Sequence, residues 1–190
     1  MPEVLKLSFK GNRDYIHGTS LFNVFVQAAQ QRGFEEGKIN VSFKQMIRNP
    51  ICILEEGVTN GSEGAVARIV GRNGEKLAMS IHESTATGEA LRQDFNETEV
   101  CRGAVVGEYS IAQNLPHHKD CIELLVSLCK KMHQECVDSN KKWVFSRYDG
   151  QFPIPESDHV ELRLIKQVGT RLTCSDVLIG GKKIGQMYFS

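Results

Sequence analysis

The sequence predicts an α+β protein in which one order of elements, a strand, a long apolar helix and then four strands, is run through twice. Three observations lead there. From Leu21 to Ala29 only Asn23 and Gln27 are polar, so a helix here has a narrow solvated face and needs other structure wrapped around it. Short alternating apolar runs bounded by turn residues follow that helix. The pattern then recurs at an offset of 100: Leu21, Phe22, Val24, Phe25, Val26, Ala28 and Ala29 fall on Cys121, Ile122, Leu124, Leu125, Val126, Leu128 and Cys129. The polar interruptions coincide as well, with Asn23 and Gln27 falling on Glu123 and Ser127.

In the first half, Val4 to Phe9 reads as one strand with Leu5, Leu7 and Phe9 on one face. The helix spans about Thr19 to Arg32 and ends at Gly33, a residue suited to stopping helices. Ile39 to Phe43 alternates strictly, and Ile51 to Leu54 is a short apolar run after Asn49-Pro50. Ala65 to Val70 and Leu77 to Ile81 flank Asn73-Gly74, a pair that a tight hairpin turn selects because both residues tolerate positive φ. Glu83 to Glu99 is polar with little periodicity and reads as a connection. The expected organisation is therefore a first repeat over residues 1–83, a linker over 84–99 and a second repeat over 100–190.

The second repeat opens with a strand over Val105 to Ile111. A helix follows Pro116 and runs to about Val137, with Pro116 and Asp120 suited to its first turn. Lys142 to Arg147, His159 to Lys166, Leu172 to Ile179 and Ile184 to Phe189 are its four strands. The last two are joined across Gly180-Gly181-Lys182-Lys183, and Gly74 and Lys76 pair with Gly181 and Lys183 at an offset of 107. The change of offset matches longer connections, chiefly Tyr148 to Asp158.

Lys plus Arg equal Asp plus Glu at 23 each, so no basic field exists to hold nucleic acid or an anionic membrane surface. No apolar run approaches the ~20 residues that span a bilayer, and Met1 to Val4 lacks the start of a signal peptide. A cytoplasmic protein is expected. The six cysteines include no Cys-x-x-Cys, which suits reduced, buried thiols better than a disulfide framework. Cys129, His133 and Cys136 share a helical stripe, but three ligands without a fourth favour packing over zinc, and no metal or other cofactor is expected.

The chemistry-bearing stretch is the approach to the first helix, Asp14-Tyr15-Ile16-His17-Gly18-Thr19. It sets an acid, an imidazole and a hydroxyl beside the helix's positive end, where backbone N–H groups lack partners and anionic or carbonyl ligands are often held. A histidine side chain in water titrates at ~6.5, so one placed there is available as a base. In the structural alternative, Asp14 and His17 bond the loop and Thr19 caps the helix.

The Asp-x-x-His-Gly approach, the Leu-Pro-His-His run at Leu115 to His118, the Gly-Lys closing hairpins and the doubled element order together resemble the hot-dog superfamily in its double form. The resemblance implies sheets wrapped around each helix and chemistry on acyl thioesters of coenzyme A or acyl carrier protein. Hot-dog thioesterases set an acid shortly before a Gly and His at the helix start, which implicates Asp14 and His17 in hydrolysis, with Gly18, Thr19 and Asn23 toward the substrate carbonyl. Hot-dog dehydratases pair a histidine with an acid about fourteen residues on. Here those positions hold Gln31, Lys131 and Met132, leaving Glu123 as the partner for His117 or His118. A thioester hydrolase is the first expectation, with a dehydratase or a non-catalytic acyl-binding or interaction protein as alternatives. Two repeats in one chain already form a pseudo-dimer, so a monomer or homodimer is expected.

Overall fold

The computed structural model describes residues 2–57, 61–114, 116, 120–137 and 141–190. The chain divides into two compact units, Met1–Phe95 and Asn96–Ser190. The residues on either side of that division carry structure belonging to each unit.

The first unit contains β1 (Glu3–Lys6), β2 (Phe9–Lys10), α1 (Gly18–Gln31), β3 (Gly37–Phe43), β4 (Ile51–Glu56), β5 (Ala65–Gly71), β6 (Lys76–Glu83) and β7 (Arg92–Gln93). The strands of its main sheet pair antiparallel in the order β1-β4-β6-β5-β3. The single strand expected over Val4 to Phe9 is broken in two. Its first part pairs with β4, whereas Phe9 and Lys10 leave the sheet to pair in parallel with Arg92 and Gln93. A partner more than eighty residues away overrides the local alternation. Helix α1 turns Leu21, Phe22, Phe25, Ala28 and Ala29 inward and Asn23, Gln27 and Gln30 outward, and it packs on β5 and β6. Those strands and β3 return Ile39, Val41, Ala67, Ile69, Met79 and Ile81 to the core.

The second unit contains α2 (Glu97–Val100), β8 (Val105–Val106), β9 (Ser110–Asn114), α3 (Cys121–Cys136), β10 (Phe145–Phe152), β11 (His159–Val168), β12 (Leu172–Ile179) and β13 (Lys182–Phe189). The strand expected over Val105 to Ile111 is instead a small hairpin. Gly107 N–H bonds the Ser110 carbonyl at 2.8 Å, and β8 folds back on β9. Helix α3 starts later than Pro116, because Asp120 has extended backbone and its carboxylate accepts the Glu123 N–H, a side-chain cap. Every residue from Ile122 to Cys129 is buried, so two full turns have no solvated face.

Both units share the order of strand, helix and four strands. Their strands are nonetheless laid out differently. In the first unit the second strand after the helix, β4, pairs with the fourth, β6. In the second unit the second, β11, pairs with the third, β12, and the sheet runs β9-β11-β12-β13-β10 with β8 beyond β9. A tight turn makes that neighbour possible: Gly169 takes a positive φ of 52°, and Arg171 N–H bonds the Val168 carbonyl at 3.0 Å.

Candidate functional site

The start of α1 gathers three polar side chains that are almost wholly buried: Lys10 at 7% exposure, His17 at 4% and Thr19 at 0%. Each arrives from a different constraint. Lys10 is brought by the β2–β7 pairing, His17 is the extended N-cap residue of α1, and Thr19 is the second residue of the helix. The Lys10 ammonium donates to Thr19 Oγ1 at 3.3 Å, and His17 Nδ1 lies 2.8 Å from the same oxygen. An ammonium has no acceptor, so Thr19 receives that bond. The second contact is satisfied either by the Thr19 hydroxyl donating to Nδ1 or by Nδ1–H donating to Thr19. The ring of Phe95 stands against the cluster, 5.9 Å from the His17 ring and 5.7 Å from the Lys10 ammonium, and Arg13 approaches its face at 5.2 Å.

The helix start itself is electropositive. His17 makes no side-chain cap bond, and the first turn of α1 holds no acid. Thr19 was a candidate cap in the sequence. Instead Gly18 already begins the helix, which carries Thr19 past the capping position and into the interior.

Asp14 is placed apart from this cluster. Its carboxylate is 70% exposed and paired with the Arg48 guanidinium on the surface. Asn23 sits on the outward face of α1, and Gly18 is half-buried at the first helical position. In the second unit Glu123 is buried in the first turn of α3, its N–H held by Asp120. His117 and His118 lie outside the described residues. Among the sequence candidates the structure therefore brings together His17, Gly18 and Thr19 and leaves Asp14 and Asn23 facing solvent. Lys10 and Phe95 are the residues that sequence reasoning missed. A charged residue directly after an apolar Phe9 was the available signal, but its meaning depends on β7.

The histidine and cysteines of α3 are packed rather than arranged as ligands. His133 is fully buried, its Nδ1 2.6 Å from the Cys129 carbonyl and its Nε2 2.7 Å from Thr173 Oγ1, with its ring stacked 5.0 Å from Trp143. The carbonyl can only accept, so Nδ1 carries the proton and Nε2 accepts from the threonine. Burial lowers the His133 pKa to about 4 and raises that of Cys129 to about 12, so both are neutral. Among the described residues no group of three His, Cys, Asp or Glu side chains could hold a metal ion.

No protein-family model matches the sequence, and no curated protein matches it either. Solved structures do match. The 12:0-ACP thioesterase from Umbellularia californica aligns over 100% of this chain and 96% of its own, with a TM-score of 0.51 at 10% identity. The structure named the erythromycin dehydratase aligns over 94% of this chain and 82% of its own, with a TM-score of 0.52 at 10% identity. The fold is a double hot-dog. Each hot-dog unit sets a buried helix against antiparallel strands, and the Lys10–His17–Thr19 cluster occupies the helix start of the first. In the second hot-dog unit the corresponding helix start adjoins a cavity whose lining includes Cys121, Leu124 and Leu125.

Proposed function

We propose that this protein binds acyl thioesters of coenzyme A or acyl carrier protein and hydrolyses them, with the start of α1 as the reacting site. The observation that supports this most is the convergence of Lys10, His17 and Thr19, all buried, on the electropositive end of a buried helix. A protein interior hosts such groups at a cost of several kcal/mol unless they are satisfied, and that cost is common at functional sites. The names of the hot-dog proteins it resembles in fold, an ACP thioesterase among them, point to the same substrate class.

In this reading Nδ1–H of His17 donates to Thr19, and Nε2 acts as the base that takes a proton from the attacking water. The Lys10 ammonium and the first N–H groups of α1 stabilise the negative charge that develops on the thioester carbonyl oxygen. Asp14, exposed and paired with Arg48, is reassigned from the base to the surface of the approach loop.

The test is release of free thiol from a series of acyl-coenzyme A and acyl-carrier thioesters. His17→Ala is expected to lower turnover by ~10²-fold or more while the thermal midpoint moves by a few degrees. Lys10→Met is expected to lower it by ~10²–10³-fold, and Asp14→Asn to leave it near wild type. Wild-type turnover in His17→Ala would remove the histidine from the mechanism.

A second reading is a non-catalytic acyl-binding protein, favoured by the way Lys10 and His17 both satisfy Thr19 in a closed arrangement. It predicts that His17→Ala unfolds the first unit and that no thioester is cleaved, although acylated ligands bind and are retained in native mass spectrometry. Dehydration by His117 or His118 with Glu123 is the remaining alternative, and its histidines lie outside the described residues.

A further inference from the structure

The second unit contains a cavity of about 190 Å³ that the proposed hydrolysis does not use. It lies against the first turns of α3, and four of its lining side chains, Leu124, Leu125, Val160 and Ile179, are more than nine-tenths buried and wholly apolar. The segment between β10 and β11 supplies the other side with Glu156, Ser157 and Asp158. That segment is fastened at its end: Ser157 Oγ accepts the His159 N–H at 3.2 Å, and the His159 carbonyl accepts the Gly180 N–H at 2.9 Å. Both acidic residues are exposed. The thiol of Cys121 also lines the cavity: burial raises its pKa first, and the charges of Glu156 and Asp120 raise it further.

We propose that this cavity binds a small organic cation, a primary alkylammonium of about six non-hydrogen atoms, with its chain on α3 and its ammonium at Glu156 and Asp158. The size follows from a share of about 30 Å³ for each water-sized group. The polarity follows from an apolar lining that faces a segment bearing two exposed acidic residues, an arrangement suited to orienting an amphipathic ligand. An acyl thioester is a poor fit, because the phosphates of its carrier would meet those same carboxylates.

The full-length chain is titrated by calorimetry with n-pentylammonium, n-pentanol and pentanoate. Pentylammonium should bind saturably at one site and more tightly than pentanol, and pentanoate should not bind. The double variant Glu156→Gln/Asp158→Asn changes only exposed side chains and should weaken pentylammonium by about tenfold while leaving pentanol unchanged, since each exposed ion pair is worth a few-fold in affinity. Cys121→Phe, its fold checked by circular dichroism, fills the cavity and should abolish binding of both. Equal affinity for pentanoate, an unchanged amine affinity in the double variant, or no saturable binding at all would each overturn the proposal. None of these results depends on whether thioesters are hydrolysed.

Discussion

His133 ties α3 to β12 through one hydrogen bond, to Thr173, while its other nitrogen bonds the Cys129 carbonyl of its own helix and its ring stacks on Trp143, and it does so while neutral. The unfolded chain protonates this side chain near 6.5, but the folded protein resists protonation until about pH 4. Between those values the unfolded state binds more protons, so stability falls as pH falls, by about 3 kcal/mol across the window. Above pH 6.5 both states are neutral and the residue adds no slope. Urea unfolding of the wild type between pH 7.5 and 4.5 should show this loss, and His133→Gln, weaker at every pH, should lack it. A wild-type curve that is flat down to pH 5 would show that the imidazole is protonated in the fold. At the same scale lies the limit of what the sequence made legible at the candidate site. His17, Gly18 and Thr19 are legible as candidates because they are neighbours in the chain at a recognisable helix start. Lys10 is not, because it is brought there by β7, a pairing with no local signature. Asp14 was assigned to the site because sequence distance cannot say which way a loop side chain turns, and Arg48, 34 residues away, draws it outward.

At the scale of elements, the strands and helices were largely readable because alternation and apolar stripes are properties of a few adjacent residues. The misreadings share one cause. Val4 to Phe9 and Val105 to Ile111 are each continuous in pattern, yet each is cut by a long-range pairing or a turn that periodicity does not register. The connection expected from Tyr148 onward shows the converse, since β10 continues through Phe152 and Tyr148 is wholly buried. What permits this is Gly150 facing Gly185 across the β10–β13 ladder, where a Cβ on Gly150 would come within 2.8 Å of Gly185 Cα and 2.6 Å of the Tyr148 hydroxyl. Gly150→Ala should therefore destabilise the protein by ~1–3 kcal/mol through overpacking, seen as a lower urea midpoint at unchanged slope. A neutral effect would mean that the two strands can separate there without penalty.

At the scale of the molecule, the doubled order of elements was visible in the sequence, but the layout of the strands was not. Hydrophobic patterns state which residues face a core and leave open which strand lies beside which. The two units answer that question differently, and the difference sets how far apart in the chain paired residues lie. In the second unit β11 pairs with β12 and β12 with β13 through short turns, so these two pairings form by closing small loops. In the first unit β4 must wait for β6, with all of β5 made in between, and β3 reaches across β4 to find β5. Closing larger loops spends more chain entropy before any pairing rewards it, and folding slows as contacts become less local. Pulse-labelling hydrogen exchange during refolding should find amides of β11 to β13 protected before those of β3 to β6, and the reverse order would contradict this. β3 and β4 precede β5 and β6 in the chain, so during synthesis they emerge with unpaired edges, and the interval before β6 arrives is when these strands are most exposed to aggregation.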